Sequence, residues 1–195
     1  MTKQKLIFVT SNKHKIIAAE SAFRKRGLGL DVRAIDIDEI QHHDPIEITK
    51  AKVRSVYDLI NQPVIVHDSN WAIPALNGFP GGYMKDVIGW FESEDFLNLI
   101  RGKEDKSINL IDTVAYFDGK VLKTFSEKQD LEFIEEPRGR GVFTLDPVVK
   151  HKNEDKTIAE MYDLHKAGDE AAKNRVFQVW KGFLDWYDKS ILVKE

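Results

Sequence analysis

Six residues between an apolar run and a segment of helical period carry the first chemistry legible in this sequence: Thr10-Ser11-Asn12-Lys13-His14-Lys15. Backbone N–H groups at a helix N-terminus lack partners inside the helix, and two lysines add positive charge, so a turn of this kind attracts phosphate. It lacks the glycines of a Walker A loop, and the same residues also suit an ordinary solvated strand-to-helix turn. A second group is a pair of carboxylates, Glu39 in an acidic stretch and Asp68 at the end of an apolar run. Magnesium is commonly held by one or two carboxylates together with substrate phosphates, so such a pair suffices for a nucleotide-dependent site. Glu39 can equally be one of several solvated acids beside Asp36, Asp38 and Asp44. His42 and His43 are adjacent, and neighbouring loop histidines do not face one ion as an i, i+4 helical pair does, so they read as surface residues. There is no G-x-S-x-G elbow and no cysteine, which leaves covalent catalysis the less attractive route.

The elements that must position these groups follow from the periodicity. Leu6 to Val9 reads as a buried strand, and Ile16, Ala19 and Phe23 then mark a helix with Ser11 or Asn12 as N-cap and a stop at Gly27. Leu30, Val32 and Ala34 alternate as a second strand. Asp44, Pro45 and Glu47 have the order of an N-cap, a proline at N1 and a capping-box acid, ahead of the apolar stripe Val53, Val56, Tyr57 and Ile60. The spacing then predicts a short strand from Val64 to His67 that delivers Asp68 and Ser69 at its carboxyl end, where open α/β sheets place ligands. A glycine-rich loop spans Asn77 to Tyr83, and two short helices lie between Met84 and Arg101, stopped by Gly102. From Ile108 to Ile134 the pattern is β, with a hairpin turn at Asp118-Gly119 and a second reversal near Glu127-Lys128. A loop covers Glu135 to Pro147, and a final helix runs from about Asp169 to Lys189. Residues 1–195 read as a single domain with no linker that would separate independent parts.

Composition narrows the partners. The chain has 195 residues, 42% of them hydrophobic, enough for one substantial core. Its 29 basic and 32 acidic side chains nearly balance, which argues against nucleic acid or a membrane surface and for a small-molecule partner. The lack of cysteine is compatible with a reducing compartment, and a cytoplasmic location without signal peptide or membrane span is expected.

Taken in order, FVTSNKHK, IDIDEIQ, EITKAKV, VIVHDSNWAIPALNGFPGGYMK, EEPRGRGVFTLDPVV, TIAEM and the late Asn174-Arg175 resemble the inosine triphosphatase family across nearly the whole chain. The resemblance implies an elongated mixed β-sheet with flanking helices, two lobes around a central nucleotide cleft, and a homodimer. It implies a nucleoside triphosphate pyrophosphatase acting on inosine, xanthosine or deoxyinosine triphosphate with Mg2+. By resemblance, Thr10, Ser11, Asn12 and Lys15 bind phosphate, and Glu39 and Asp68 hold the metal, Asp68 also serving as base for water. Ser69, Lys52 and Lys85 contact the substrate. Phe143, Thr144, Leu145 and Asp146 form the base-binding segment, and Lys166, Asn174 and Arg175 read the base and close the site.

The chain departs from the family pattern at several of these positions. Ser11 stands for the usual glycine and Ala18 for a glutamate, while His67 replaces an acid before Asp68. Thr144-Leu145 replaces a glycine and an aromatic, Asn174 a histidine, and the stretch from Met161 to Arg175 is about three residues longer than usual. These changes leave two further readings: a pyrophosphatase for another or modified nucleotide, and a nucleotide-binding protein with weak catalysis.

Overall fold

A computed structural model describes residues 5–141, 143–166 and 178–190. Three strands open the chain: β1 (Leu6–Val9), β2 (Leu30–Arg33) and β3 (Val64–Ile73). Helix α1 (Lys13–Arg24) joins the first two, and α2 (Pro45–Ile60) joins the second and third. β1 is parallel to both neighbours, with Phe8 level with Val32 on one side and Ile65 on the other. The later elements are β4 (Phe79–Gly81), α3 (Met84–Val87), α4 (Ser93–Ile100), β5 (Ser107–Phe117), β6 (Leu122–Phe133), β7 (Val149–His151), α5 (Ile158–Lys166) and α6 (Gln178–Ser190). The seven strands form one mixed sheet in the order β2-β1-β3-β5-β6-β7, with β4 paired antiparallel to β3.

The contacts divide the chain into two compact units. The first comprises the described parts of Met1–Ser69, Asp112–Glu127 and Val176–Glu195, and the second those of Asn70–Ile111 and Lys128–Arg175. In the first unit β1 is buried along its whole length because both faces of the sheet are covered. Leu6, Phe8, Ile65, Val114 and Tyr116 pack against Phe23 of α1 and Trp180 and Phe183 of α6, while Ile7, Val9, Val64, Val66 and Ala115 pack against Val53 and Val56 of α2. Trp180 meets Phe8 edge-on at 5.3 Å between centroids. In the second unit Phe96 and Ile100 of α4 and Met84 and Val87 of α3 share a core with Trp71, Ile108, Leu131, Leu145 and Val149. Among the described residues no helix is long and apolar enough to cross a membrane.

Helix ends follow local chemistry. Asn12 caps α1, its side-chain oxygen accepting from the N–H groups of His14 (2.9 Å) and Lys15 (3.2 Å). Gly27 ends the turn beyond α1 with φ of 67°, a conformation that costs glycine little. Asp44 caps α2 as its spacing predicts, but Glu47 turns to Lys50 at 2.7 Å instead of reaching back to close a capping box.

The structure corrects two expectations and adds elements where the sequence pattern assigns none. β3 does not end at His67 but continues to Ile73, because Trp71 to Ile73 pair with β4 in the second unit. No reversal occurs at Glu127-Lys128. Glu127 instead accepts the N–H of Val179 at 2.9 Å in the first turn of α6, and Lys128 pairs with Asp130 at 2.8 Å along the same strand. Between Pro147 and Lys166, where the sequence pattern assigns no element and carries only the TIAEM motif, lie β7 and α5. The start of α5 is a capping box in which Glu160 accepts from Thr157 N–H (2.8 Å) and Thr157 Oγ1 accepts from Glu160 N–H (3.1 Å).

Phe183 is fully buried among Phe23, Tyr116, Phe125 and Trp180. Phe183→Ala is therefore expected to lower unfolding free energy by about 3–5 kcal/mol. Urea unfolding followed by tryptophan fluorescence checks this, and a loss below about 1 kcal/mol would contradict the packing described.

Candidate active site

The strand order β2-β1-β3 makes β1 the point at which the chain reverses its direction of travel across the sheet. The crevice outside the carboxyl ends of β1 and β3 is where open α/β sheets take ligands. Paired register ends at Phe8 and Ile65, and β1 itself ends at Val9. Asp68 therefore lies beyond the end of its parallel neighbour although it sits within a longer strand.

The cluster in the first unit centres on Lys52. Its ammonium donates to Asp68 Oδ1 and to Glu39 Oε1, each at 2.7 Å. The three side chains come from α2, β3 and the segment between β2 and α2, and they retain 17%, 15% and 32% exposure for Lys52, Asp68 and Glu39. Burial alone would raise the Asp68 pKa, but Lys52 and then Lys15 outweigh it and hold the carboxyl below the usual carboxylate range. Burial likewise opposes the Lys52 charge, yet Asp68 and Glu39 hold that ammonium above its ordinary value. Lys15, from α1, donates to the backbone carbonyl of His67 at 2.8 Å, and burial pulls its ammonium below the usual lysine value against the attraction of Asp68.

Among the described residues Asp68 Oδ2 is buried and has no hydrogen-bond partner. A bare carboxylate oxygen beside a second carboxylate offers only hard oxygen donors, a set that suits a divalent cation completed by phosphate and water oxygens. Among the described residues no group of three or more His, Asp and Glu side chains could hold a metal unaided.

Alternation along β3 sends Asp68 toward α2 and its neighbours His67 and Ser69 toward the α1–α6 face. There Ser69 Oγ donates to Asp112 Oδ1 at 2.6 Å, and His67 Nε2 lies 3.0 Å from the same oxygen. Burial holds the His67 imidazole below its ordinary pKa against the Asp112 contact. Asp112 is absent from the residues that spacing or resemblance brings forward. The available signal was a lone acid inside the apolar run INLIDTVAYF.

The first unit thus brings together Lys15, Glu39, Lys52, Asp68 and Ser69. Thr10 and Asn12 stand at the start of α1, where Thr10 Oγ1 accepts from Asn12 N–H at 3.1 Å, and Ser11 beside them is exposed. Because Asn12 already engages the N–H groups of His14 and Lys15, positive charge at this turn rests mainly on the lysine side chains. Lys85 is exposed on α3 in the second unit.

Phe143 in that unit lies nearly parallel to Trp71, with centroids 6.3 Å apart and planes at 12°. Asp146 Oδ2 accepts from Phe143 N–H at 2.8 Å and pins the turn, and Thr144 O accepts from Ser93 Oγ at 2.6 Å. Leu145 has no exposed surface and belongs to the core of its unit. Lys166 ends α5, while Asn174 and Arg175 fall outside the described residues.

Named relatives align along nearly the full chain. A Methanopyrus kandleri protein named dITP/XTP pyrophosphatase is 31% identical over 96% of this chain and 98% of its own length. A Tuber melanosporum protein named inosine triphosphate pyrophosphatase is 32% identical over 91% of this chain and 92% of its own. Among solved structures, a HAM1 protein from Coxiella burnetii superposes with a TM-score of 0.76 at 20% identity, covering 98% of this chain and all of that one, which supports the mixed α/β fold. The model of the Ham1 family matches residues 6–169, and the chain belongs to that family.

Proposed function

We propose that this protein hydrolyses a purine nucleoside triphosphate of the inosine or xanthosine kind to the monophosphate and pyrophosphate. The observation that carries the reading is the cation-bridged carboxylate pair, Glu39 and Asp68 joined by Lys52, with Lys15 alongside and Asp68 Oδ2 bare. The names of the Methanopyrus and Tuber relatives support the substrate class.

Glu39 and Asp68 would hold Mg2+, which when bound neutralises triphosphate charge and polarises the phosphoryl oxygens. Lys15 and Lys52 bind and orient the phosphates, Lys52 exchanging part of its carboxylate contact for phosphate oxygen as substrate enters. Asp68, kept ionised by the two lysines, accepts a hydrogen bond from the attacking water and takes its proton as the α-phosphorus is attacked and pyrophosphate departs. Asn12 and Ser69 are further phosphate-side contacts, Lys85 a further cation for the substrate, and Phe143 the stacking face for the base. Residues 1–195 act as one catalytic domain in a homodimer. A cytoplasmic site of action fits a chain without cysteine, and a net charge of −3 fits a small-molecule partner better than nucleic acid.

Purified protein with Mg2+ is expected to release pyrophosphate from inosine and xanthosine triphosphates faster than from ATP, GTP, CTP or UTP. Release from none of these would sink the reading. Asp68→Asn is expected to lower kcat by roughly 10²–10⁴-fold, the usual contribution of a positioned general base, and an unchanged kcat would remove Asp68 from that role. Lys52→Met takes away a charged donor worth about 1.5–3 kcal/mol at phosphate, so KM for the triphosphate is expected to rise roughly tenfold or more in steady-state assays.

A further inference from the structure

Asp112 is an acid with no exposed surface in the middle of a strand. A carboxylate removed from water is tolerated when donors surround it, and here Ser69 Oγ donates at 2.6 Å while the His67 imidazole edge lies at 3.0 Å. A carboxylate oxygen can only accept, so the His67 Nε2 edge carries the hydrogen. Period-two alternation puts Asp112 on the face of β5 that also bears Val114 and Tyr116, and His67 on the face of β3 that bears Ile65, all turned to the α1–α6 layer. The two residues that Asp112 holds are the immediate neighbours of Asp68 on either side. The first of them, His67, also supplies the carbonyl that accepts from Lys15 at 2.8 Å.

We propose that Asp112 is a positioning residue for the reaction, fixing Ser69 and His67 on the α1–α6 side of β3 so that Asp68 on the opposite side, and Lys15 through the His67 carbonyl, are held in working orientation. The inference rests on the pyrophosphatase reading above. One acid behind the strand thereby governs two site groups it does not touch, Asp68 and Lys15, and through its direct bond to the Ser69 hydroxyl it sets the substrate contact at that position. Misplacement of reacting groups by about 1 Å can cost about 10²-fold in rate, so a fixed backbone at 67–69 matters to turnover more than to ground-state binding.

Steady-state kinetics of Asp112→Asn, Ser69→Ala and the double variant, with Mg2+ and inosine triphosphate, test this. Asp112→Asn keeps the shape and an acceptor oxygen but removes the negative charge that the Ser69 hydroxyl and the His67 N–H both meet, weakening charge-assisted bonds to neutral ones. Its kcat is expected to fall about 10–100-fold while KM changes less than about threefold. In the Ser69→Ala background the same replacement is expected to cost at least threefold less than in wild type, because part of its effect runs through the hydroxyl. A purely structural role predicts a lower unfolding midpoint, unchanged kcat per folded site and multiplicative effects, and that result overturns the proposal. Where Asp112→Asn does not fold, Asp112→Glu and Ser69→Ala decide, and wild-type kcat in either overturns it. If the wild type releases no pyrophosphate, it is the pyrophosphatase reading that fails. The contact itself is then read from the His67 ring-nitrogen shifts of nucleotide-free protein, which move on Asp112→Asn if the contact exists and stay fixed if it does not.

Discussion

One ammonium group holds the site of the first unit together. Lys52 reaches from α2 to Asp68 on β3 and to Glu39 on the segment that follows β2, so a single cation fastens three pieces of chain that are distant in sequence. Two carboxylates this close would repel each other and resist burial without it. With it, Asp68 stays ionised in surroundings that would otherwise favour protonation. An ionised, partly bare carboxylate is what either a divalent cation or an attacking water requires.

The fold explains why these groups meet. Order β2-β1-β3 sends α1 and α2 to opposite faces of the sheet, so Lys15 and Lys52 approach β3 from different sides. Lys15 takes a main-chain carbonyl and Lys52 the side chain one residue later. Behind them the buried Asp112 binds the residues on either side of Asp68. Negative charge is therefore supplied from β3, from β5 and from the acidic segment before α2. His67 itself is neighboured by an acid, Asp112 on the adjacent strand β5.

Local signals in the sequence marked most of the first unit, because strand period, the Asn12 and Asp44 caps and the Gly27 stop are each set within a few residues. Boundaries set by distant pairing were not legible. β3 runs on to Ile73 because β4 returns to it, and Glu127-Lys128 stays in strand because Glu127 serves the start of α6. The capping box at Thr157 and Glu160 was present in the sequence and unread, since it stood inside a motif taken for its chemistry. At the site, Glu39 could not be told from its acidic neighbours by spacing alone, and the contact with Lys52 distinguishes it. Asp112 escaped notice because its partners lie more than forty residues upstream, at Ser69 and His67. Leu145 drew attention as a lost stacking surface, whereas its side chain fills the core of the second unit.

On the proposed mechanism Asp68 directs water to the α-phosphorus, and the bond that breaks joins the α-phosphorus to the bridging oxygen. Hydrolysis of inosine triphosphate with Mg2+ in water enriched in oxygen-18, with products resolved by mass spectrometry, tests it most directly. The account predicts one heavy oxygen in the monophosphate and none in the pyrophosphate. Label in the pyrophosphate, or release of single phosphates in place of pyrophosphate, would contradict it.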